Sequence, residues 1–270
     1  MQLTLTDADF DRLITFIKKN YGIDLTRKKQ LVSSRLSVTV LEMGFTDFSS
    51  FISHLLKRRD PDQIEIVLNK LTTNYTFFMR EEQHYEFFEK VVMPEIIARH
   101  QKDKVLSIWS AGCSSGEEPY NISMYIKDFL GAKAKEWDTR VLATDISQRA
   151  LQKAKAGVYE VPDTIPEKWR NQFFVPTNIK GRFEVAPVIK DNVIFQTFNL
   201  MDPITFKLKF DIIFCRNVMI YFEQDTKDAL CRRFYDATNP NGYLLIGHSE
   251  AIDKNTAYHT LAPATYQKKS

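Results

Sequence analysis

Directly after the apolar run VLSIWS, the chain reads Ala111-Gly112-Cys113-Ser114-Ser115-Gly116-Glu117-Glu118, a turn of small residues that ends in two carboxylates. A glycine-bearing turn between a strand and a helix lets a ligand approach the backbone beyond the carboxyl end of a parallel strand. The next apolar run, RVLATD, ends in Asp145, and an acid at that place can accept both hydroxyls of a ribose. The competing reading makes Asp145 a helix cap and the turn a plain connection. No phosphate-binding loop G-x-x-x-x-G-K-[ST] is present, and Glu117 and Glu118 stand where a pyrophosphate would seek a helix N-terminus. Carboxylates there repel phosphate. They suit a nucleoside that carries positive charge and no phosphate, as do the sulfonium and ammonium groups of S-adenosylmethionine.

The same turn spells Gly112-Cys113-Ser114-Ser115-Gly116, which formally fits the G-x-S-x-G elbow of serine hydrolases. Ser114, Asp211 and His248 even follow in hydrolase order. An elbow, however, needs several sheet strands before it, and the hundred residues ahead of this one have helical periodicity. None of the five histidines is assigned to proton transfer, and His248 at a strand end reads as structural. The three cysteines, Cys113, Cys215 and Cys231, are far apart and in no metal-ligand or C-x-x-C spacing, so they read as reduced buried thiols and no metal is assigned.

The elements that must position these residues fall into two halves. In the first, Phe10, Leu13, Ile14 and Ile17 recur at helical spacing behind Thr6 or Asp7 as cap. Further helices are predicted from about Lys28 to Glu42, through Phe48, Phe51, Ile52 and Leu55, and through Ile64, Val67, Leu68 and Leu71. Residues 81–99 form another, with Tyr85, Phe88 and Val92 on one stripe and Pro94 as a possible kink. The boundaries are a helical domain at 1–75, a bridging helix at 76–100 and an α/β domain at 101–270. In the last, short apolar runs alternate with helices, the pattern of an open parallel sheet covered on both faces. It continues through FDIIFC (210–215), a helix from about Gln224 to Thr238, the turn Asn239-Pro240-Asn241-Gly242 and the strand YLLIGH. Residues 158–198, with Pro162, Pro166 and the alternating runs RFEVAPV and NVIFQTF, read as an inserted antiparallel β-subdomain.

A chain of 270 residues, 44% hydrophobic and 26% charged, is long enough for these two cores. Its formal net charge of +3 is too small to indicate nucleic acid. No apolar run is long enough to span a membrane, and the start MQLTLTDADFDR lacks the order of a signal peptide, so a cytoplasmic protein is expected.

Four motifs give the chain a specific resemblance: Asn74-Tyr75-Thr76-Phe77-Phe78-Met79-Arg80; Trp109 through Tyr120, WSAGCSSGEEPY; Cys215-Arg216-Asn217-Val218-Met219-Ile220-Tyr221-Phe222; and Gly247-His248-Ser249-Glu250. Together they resemble the CheR family of chemotaxis protein-glutamate O-methyltransferases over nearly the whole chain. The resemblance implies a small helical N-terminal domain and a Rossmann-like S-adenosylmethionine-binding domain with a β-insertion. It implies cofactor contacts at Asn74, Thr76, Arg80, Glu117 or Glu118, Asp145, Asn199, Leu200, Arg216 and Asn217, with Arg80 or Tyr221 orienting the substrate carboxylate. The implied partners are the cytoplasmic helices of methyl-accepting chemotaxis receptors, met by a monomer. Residues 26–60 carry the clusters Arg27, Lys28, Lys29, Arg35 and Lys57, Arg58, Arg59 against only Glu42, Asp47 and Asp60, a face that would attract acidic helices or merely be solvated. The segment TNIKGRFEVAP, 177–187, is shorter and poorer in glycine than the family's peptide-binding version. Two alternatives stand beside this reading: methyl transfer to another substrate, and a regulator that binds S-adenosylmethionine without catalysis.

Overall fold

The computed structural model describes residues 3–253 and 256–269, which divide into two compact units. Unit 1 comprises residues 1–74 together with Tyr221–Thr226. Its four helices start and stop where the local chemistry requires. In α1 (Asp7–Tyr21) the Thr6 hydroxyl accepts the Asp9 N–H, Gly22 closes the far end at φ 73°, and Phe10, Leu13, Ile14 and Ile17 are buried. Helix α2 (Lys29–Glu42) has no side-chain cap and buries Val32, Leu36 and Val40. Asp47 caps α3 (Phe48–Arg58) by accepting from the Ser50 N–H, and Asp60 caps α4 (Pro61–Leu71) with Pro61 in the first turn, where its missing N–H costs nothing. Each buried Leu, Ile or Phe contributes roughly 1.5–3 kcal/mol, so the apolar stripes and not the caps, at about 1 kcal/mol each, supply most of the cohesion. The guanidinium of Arg35 on α2 donates to the carbonyls of Lys70 and Thr72, tying α2 to the end of α4. The late segment joins this unit through an antiparallel bridge between Ile23 and Phe222, an Asp24 N–H donated to the Tyr221 carbonyl at 2.8 Å, and a Lys18–Glu223 ion pair at 2.6 Å.

Unit 2 comprises Tyr75–Ile220 and Lys227–Ser270. It begins with α5 (Glu82–Phe87), a π-helical turn over Phe88–Val92, and α6 (Met93–Arg99). Pro94, in the first turn of α6, lacks a donor and crowds the preceding turn, and the chain answers with the widened π turn rather than a sharp kink. Tyr85, Phe88, Val92, Met93 and Ile96 enter the main hydrophobic core of this unit, so residues 76–100, expected as a bridge, are part of its body.

The core surrounds β1 (Ile108–Ala111), α7 (Glu117–Leu130), β2 (Val141–Asp145) and α8 (Gln148–Ala156). An insertion follows, with β3 (Val158–Tyr159), α9 (Glu167–Phe173), β4 (Phe174–Pro176), β5 (Phe183–Val185) and α10 (Pro187–Lys190), and its strands form a small antiparallel sheet in the order β3-β5-β4. Then come β6 (Val193–Thr197), β7 (Phe210–Cys215), α11 (Gln224–Ala237), β8 (Thr238–Ile246), β9 (Tyr258–Ala262) and β10 (Thr265–Lys268). The large sheet runs β6-β2-β1-β7-β8-β10-β9; the first five strands are parallel, and β10 runs antiparallel to both its neighbours, so that β9 shares the direction of the first five. The strand order reverses beside β1, the place in an open α/β sheet where ligands bind beyond the carboxyl ends of the strands. Trp109, fully buried in β1, anchors it: its indole N–H donates to the Thr144 hydroxyl at 2.9 Å, and Phe198, Phe206, Phe210 and Phe234 surround the ring.

Two expected elements differ. The run NVIFQTF does not belong to the inserted subdomain: β6 pairs in parallel with β2 at the edge of the large sheet, and its solvent-facing side produces the same alternation as a hairpin strand. The tetrapeptide Asn239-Pro240-Asn241-Gly242 is not a turn between elements but lies inside β8, where the register against β7 shifts and Asn241 has φ 59°. The residues of turn chemistry here make a bulge. Among the described residues no helix is long and apolar enough to cross a membrane.

Asp211, 1% exposed in β7, holds this region together. One carboxylate oxygen accepts the Ser107 N–H, and the other lies 3.0 Å from both Asn239 Nδ2 and His100 Nε2. Partial burial disfavours charge on His100, but Asp103 and Asp211 outweigh it and raise the ring's pKa. A raised folded-state value means that protonation of His100 stabilises the fold fully below the ordinary histidine value of about 6.5 and that this contribution is lost as pH rises through the higher folded value. Thermal midpoints of His100→Gln should therefore lie below wild type at pH 5.5 and converge toward it by pH 9. A difference independent of pH would remove the charge from this account.

Candidate active site

The turn after β1 is shaped by contacts with the neighbouring strand end. The amides of Gly112 and Cys113 both donate to the Thr144 carbonyl, at 2.8 and 2.9 Å, and Ser114 adopts a left-handed φ of 50° that aims its N–H at Asp145 Oδ2, 2.8 Å away. The other Asp145 oxygen accepts the Ser147 N–H at 2.9 Å. Asp145 is thus a strand-end acid facing the glycine turn, and it is not the cap of α8, which is Ser147, whose hydroxyl accepts the Ala150 N–H at 3.0 Å. The glycines are required by packing as well as by φ. A Cβ at Gly112 (φ 86°) would meet Val218 Cγ2 at 2.4 Å, and one at Gly116 (φ 96°) would meet Ala154 Cβ at 2.7 Å and the Tyr159 hydroxyl at 2.9 Å.

Beneath this turn lies a layer of charge. Glu117 is buried and accepts the Ser115 hydroxyl at 2.7 Å; burial raises its carboxyl pKa, with Ser115 pulling the other way. Glu118 accepts Ser110 Oγ at 2.7 Å and Arg216 Nη1 at 3.2 Å. Burial raises Glu118 more than Arg216 and Ser110 lower it.

Arg216, with a side chain 2% exposed, uses every N–H it has within the protein. Nε donates to Glu81, Nη1 to the Tyr85 hydroxyl and Glu118, and Nη2 to Glu81 and the Arg80 carbonyl. A guanidinium has five N–H groups, and five contacts leave none for a ligand. Arg216, expected at the cofactor, is the pin of the site.

Glu81 lies opposite that pin. Its Oε1 accepts Asn217 Nδ2 at 3.2 Å and the His248 N–H at 3.1 Å, while Oε2 faces Arg216. Partial burial works to raise the Glu81 carboxyl, but His84, Arg216, Asn217 and His248 hold it well below the usual carboxylate range. Asn217, left-handed at φ 60°, donates its backbone N–H to Glu250 Oε2, which also takes the Gly247 N–H, and the Ile220 N–H reaches Glu250 Oε1. Glu81 and Glu250 are structural centres that motif reading left unassigned. Glu250 stands in the GHSE motif, but nothing local separates Glu81 from exposed Glu82; the buried Arg216 that requires it lies 135 residues away.

The other expected residues occupy distinct places. Leu200 is buried, its carbonyl accepts Arg233 Nη2 at 2.6 Å, and Asn199 Oδ1 accepts the Met201 N–H at 3.0 Å just beyond the end of β6. Arg80 donates to the Tyr75 carbonyl at 2.8 Å and lies against the Phe77 ring, with half-buried Thr76 between them in sequence. Asn74 and Tyr221 both belong to unit 1: Asn74 contacts Asn69 and Thr72, and the Tyr221 hydroxyl donates to the Thr73 carbonyl at 3.3 Å. The hydrolase arrangement does not assemble, because Asp211 pairs with His100 while the His248 ring packs on His84 at 4.4 Å between centroids. What unit 2 offers is a fixed acid at the end of β2, a turn of tightly packed glycines, and carboxylates in place of phosphate ligands.

Comparison with known proteins agrees over nearly the whole length. A family model described as "CheR methyltransferase, SAM binding domain" matches residues 74–268, and one described as "CheR methyltransferase, all-alpha domain" matches residues 8–72. The chain is 37% identical to a chemotaxis protein methyltransferase of Borreliella burgdorferi over 278 residues, covering 99% of this chain and 96% of that protein. It is 35% identical to proteins of the same description from Pseudomonas putida, covering 92% of this chain and 91% of the other, and from Escherichia coli, covering 92% and 86%.

The charge layer makes a prediction that can be read from unit 2 alone, since Trp109, Trp137 and Trp169 all lie there. Arg216→Met leaves Glu81 and Glu118 without their counter-charge, and removing one partner of a buried pair costs about 3–5 kcal/mol. Glu118→Gln, which keeps an acceptor for Ser110 and Arg216, should cost about 1 kcal/mol. Denaturant unfolding followed by tryptophan fluorescence measures both, and a wild-type midpoint for Arg216→Met would show that the pin carries no stability.

Proposed function

The chain belongs to the CheR family of S-adenosylmethionine-dependent chemotaxis methyltransferases, and on that premise we propose that it esterifies glutamate side chains in the cytoplasmic helical region of methyl-accepting chemotaxis receptors. The observation that carries this reading within the chain is the strand-end acid Asp145, held by the amides of Ser114 and Ser147 and facing a turn that leads into Glu117 and Glu118. That donor set fits a ribose and a cationic ligand and disfavours phosphate. We assign Asp145 to the ribose, the segment Asn199–Leu200 to the adenine edge, and Arg80 to a carboxylate, while Arg216 and Asn217 position the site from behind.

When bound, S-adenosylmethionine supplies a methyl group on a positively charged sulfur. A substrate glutamate, with a pKa near 4.3, is ionised at pH 7 and can attack that carbon directly. The new C–O bond takes the place of the C–S bond, sulfur keeps the electron pair, and no proton moves. A general base is unnecessary, which agrees with the occupation of His100 and His248 by packing and ion-pair contacts. The protein's contribution is alignment, worth several kcal/mol when reactants are held in near-attack geometry. Substrate attraction is assigned to the exposed basic clusters of unit 1, before α2 and at the end of α3. Lys29 is engaged by Asp7 at 2.5 Å, Arg35 by α4 and Arg59 by the Phe16 ring, so Arg27, Lys28, Lys57 and Arg58 are the cations assigned to this role.

Incubation with a purified receptor cytoplasmic fragment and methyl-labelled S-adenosylmethionine should place label on the receptor in a form released by alkali as volatile methanol. Base-stable label would indicate methylation of nitrogen and would refute the ester. Asp145→Asn should weaken S-adenosylhomocysteine binding by about 10–100-fold, the worth of hydrogen bonds to a charged group. Calorimetry giving the wild-type affinity for a folded Asp145→Asn protein would remove Asp145 from the ribose.

A further inference from the structure

His84 lies in α5 within the hydrophobic interior of unit 2, with a side chain 2% exposed, and neither of its ring nitrogens has a hydrogen-bond partner. Nδ1 makes only a long approach to Glu81 Oε2, at 3.4 Å, the contact through which it lowers the Glu81 carboxyl. Buried polar atoms are rarely left unmatched, and one that is needs an explanation, a bound water or ion among them. The surroundings supply ligand chemistry. Glu81, His84 and His248 each offer one donor atom, and the three atoms lie within 4.8 Å of one another. The His248 N–H, donated to Glu81 Oε1 at 3.1 Å, fixes the strand end that carries the third ligand. The His248 side chain is exposed, which gives an ion a route from solvent to the buried pair.

We propose that Glu81, His84 and His248 form a binding site for a divalent transition-metal ion of the zinc class. Two imidazoles and a carboxylate are a ligand set that zinc accepts in tetrahedral geometry with one position left to water. Magnesium and calcium prefer oxygen donors and are disfavoured here. Glu81 Oε2 also receives Arg216 at 3.1 Å, so the ion and the guanidinium compete for one oxygen and the loaded site holds Arg216 by fewer contacts. The site adjoins Arg216 and Asn217 through Glu81, and its existence does not depend on which substrate is methylated.

The test is Zn²⁺ titration of the full-length protein against a chromogenic chelator, with Co²⁺ as a spectroscopic substitute. Wild type should take up one Zn²⁺ per chain, and the Co²⁺ form should show the visible bands of a low-coordinate site. His248→Ala, a change at an exposed side chain, should bind at least 10-fold more weakly and lose those bands, and His84→Gln should do the same where circular dichroism shows it folded. Mg²⁺ should not compete. Absence of uptake by wild type, or equal uptake and an unchanged Co²⁺ spectrum in His248→Ala, would overturn the proposal.

Discussion

A guanidinium almost without solvent must find a partner for each of its five N–H groups, and this requirement at Arg216 organises unit 2 around the candidate site. Glu81 and Glu118 bring the charge, the Tyr85 hydroxyl and the Arg80 carbonyl bring the remaining acceptors, and the Tyr85 ring lies beneath the cation, 5.2 Å from its carbon to the ring centroid. These groups come from the start of α5, the start of α7 and the end of β7, so one side chain fixes three elements relative to each other. An ion cluster so enclosed adds little net stability over an apolar replacement of all its members together, since desolvation offsets most of the Coulomb gain, whereas loss of the cation alone strands its carboxylates. Its contribution is to geometry: any shift that frees one N–H leaves an unpaired buried charge.

The backbone around this cation bears the cost. Met79, Glu81 and Asn217 all have positive φ, at 62°, 55° and 60°, a conformation unfavourable for side chains other than glycine and least so for asparagine. Glycine would relieve the strain at Glu81 but would remove the carboxylate. At Gly247 the reverse holds, because a Cβ would stand 2.5 Å from Asn217 Nδ2 and 2.8 Å from the Asn217 amide nitrogen. Strain concentrated in this way marks a place where arrangement outweighs local preference.

The amphipathic helices of unit 1 were readable because periodicity and caps are local signals, and Thr6, Asp47 and Asp60 act as those signals require. The strand–turn–helix from β1 to α7 and the acid at the end of β2 were readable for the same reason. The allegiance of β6 was not, since an edge strand with one wet face alternates just as a hairpin strand does, and only its partner decides the sheet. Asn239-Pro240-Asn241-Gly242 carried the chemistry of a turn, which a bulge also uses. Arg216 was visible in its motif but not its burial, because an arginine that holds a site together and one that touches a ligand read alike along the chain. The pairing of Asp211 with His100, against the His248 that sequence order offered, was equally hidden.

The membership of Tyr221–Thr226 in the helical unit bears on how the protein is made. The four helices are made before the segment that bridges Ile23 and pairs with Lys18, which follows roughly 150 residues later. At synthesis rates of about 5–20 residues per second, the nascent helical unit waits on the order of ten seconds or more with that side uncovered. The last part of the earlier-made unit is thus among the later parts of the chain to arrive, and a message truncated anywhere before residue 221 yields a helical unit that is never closed.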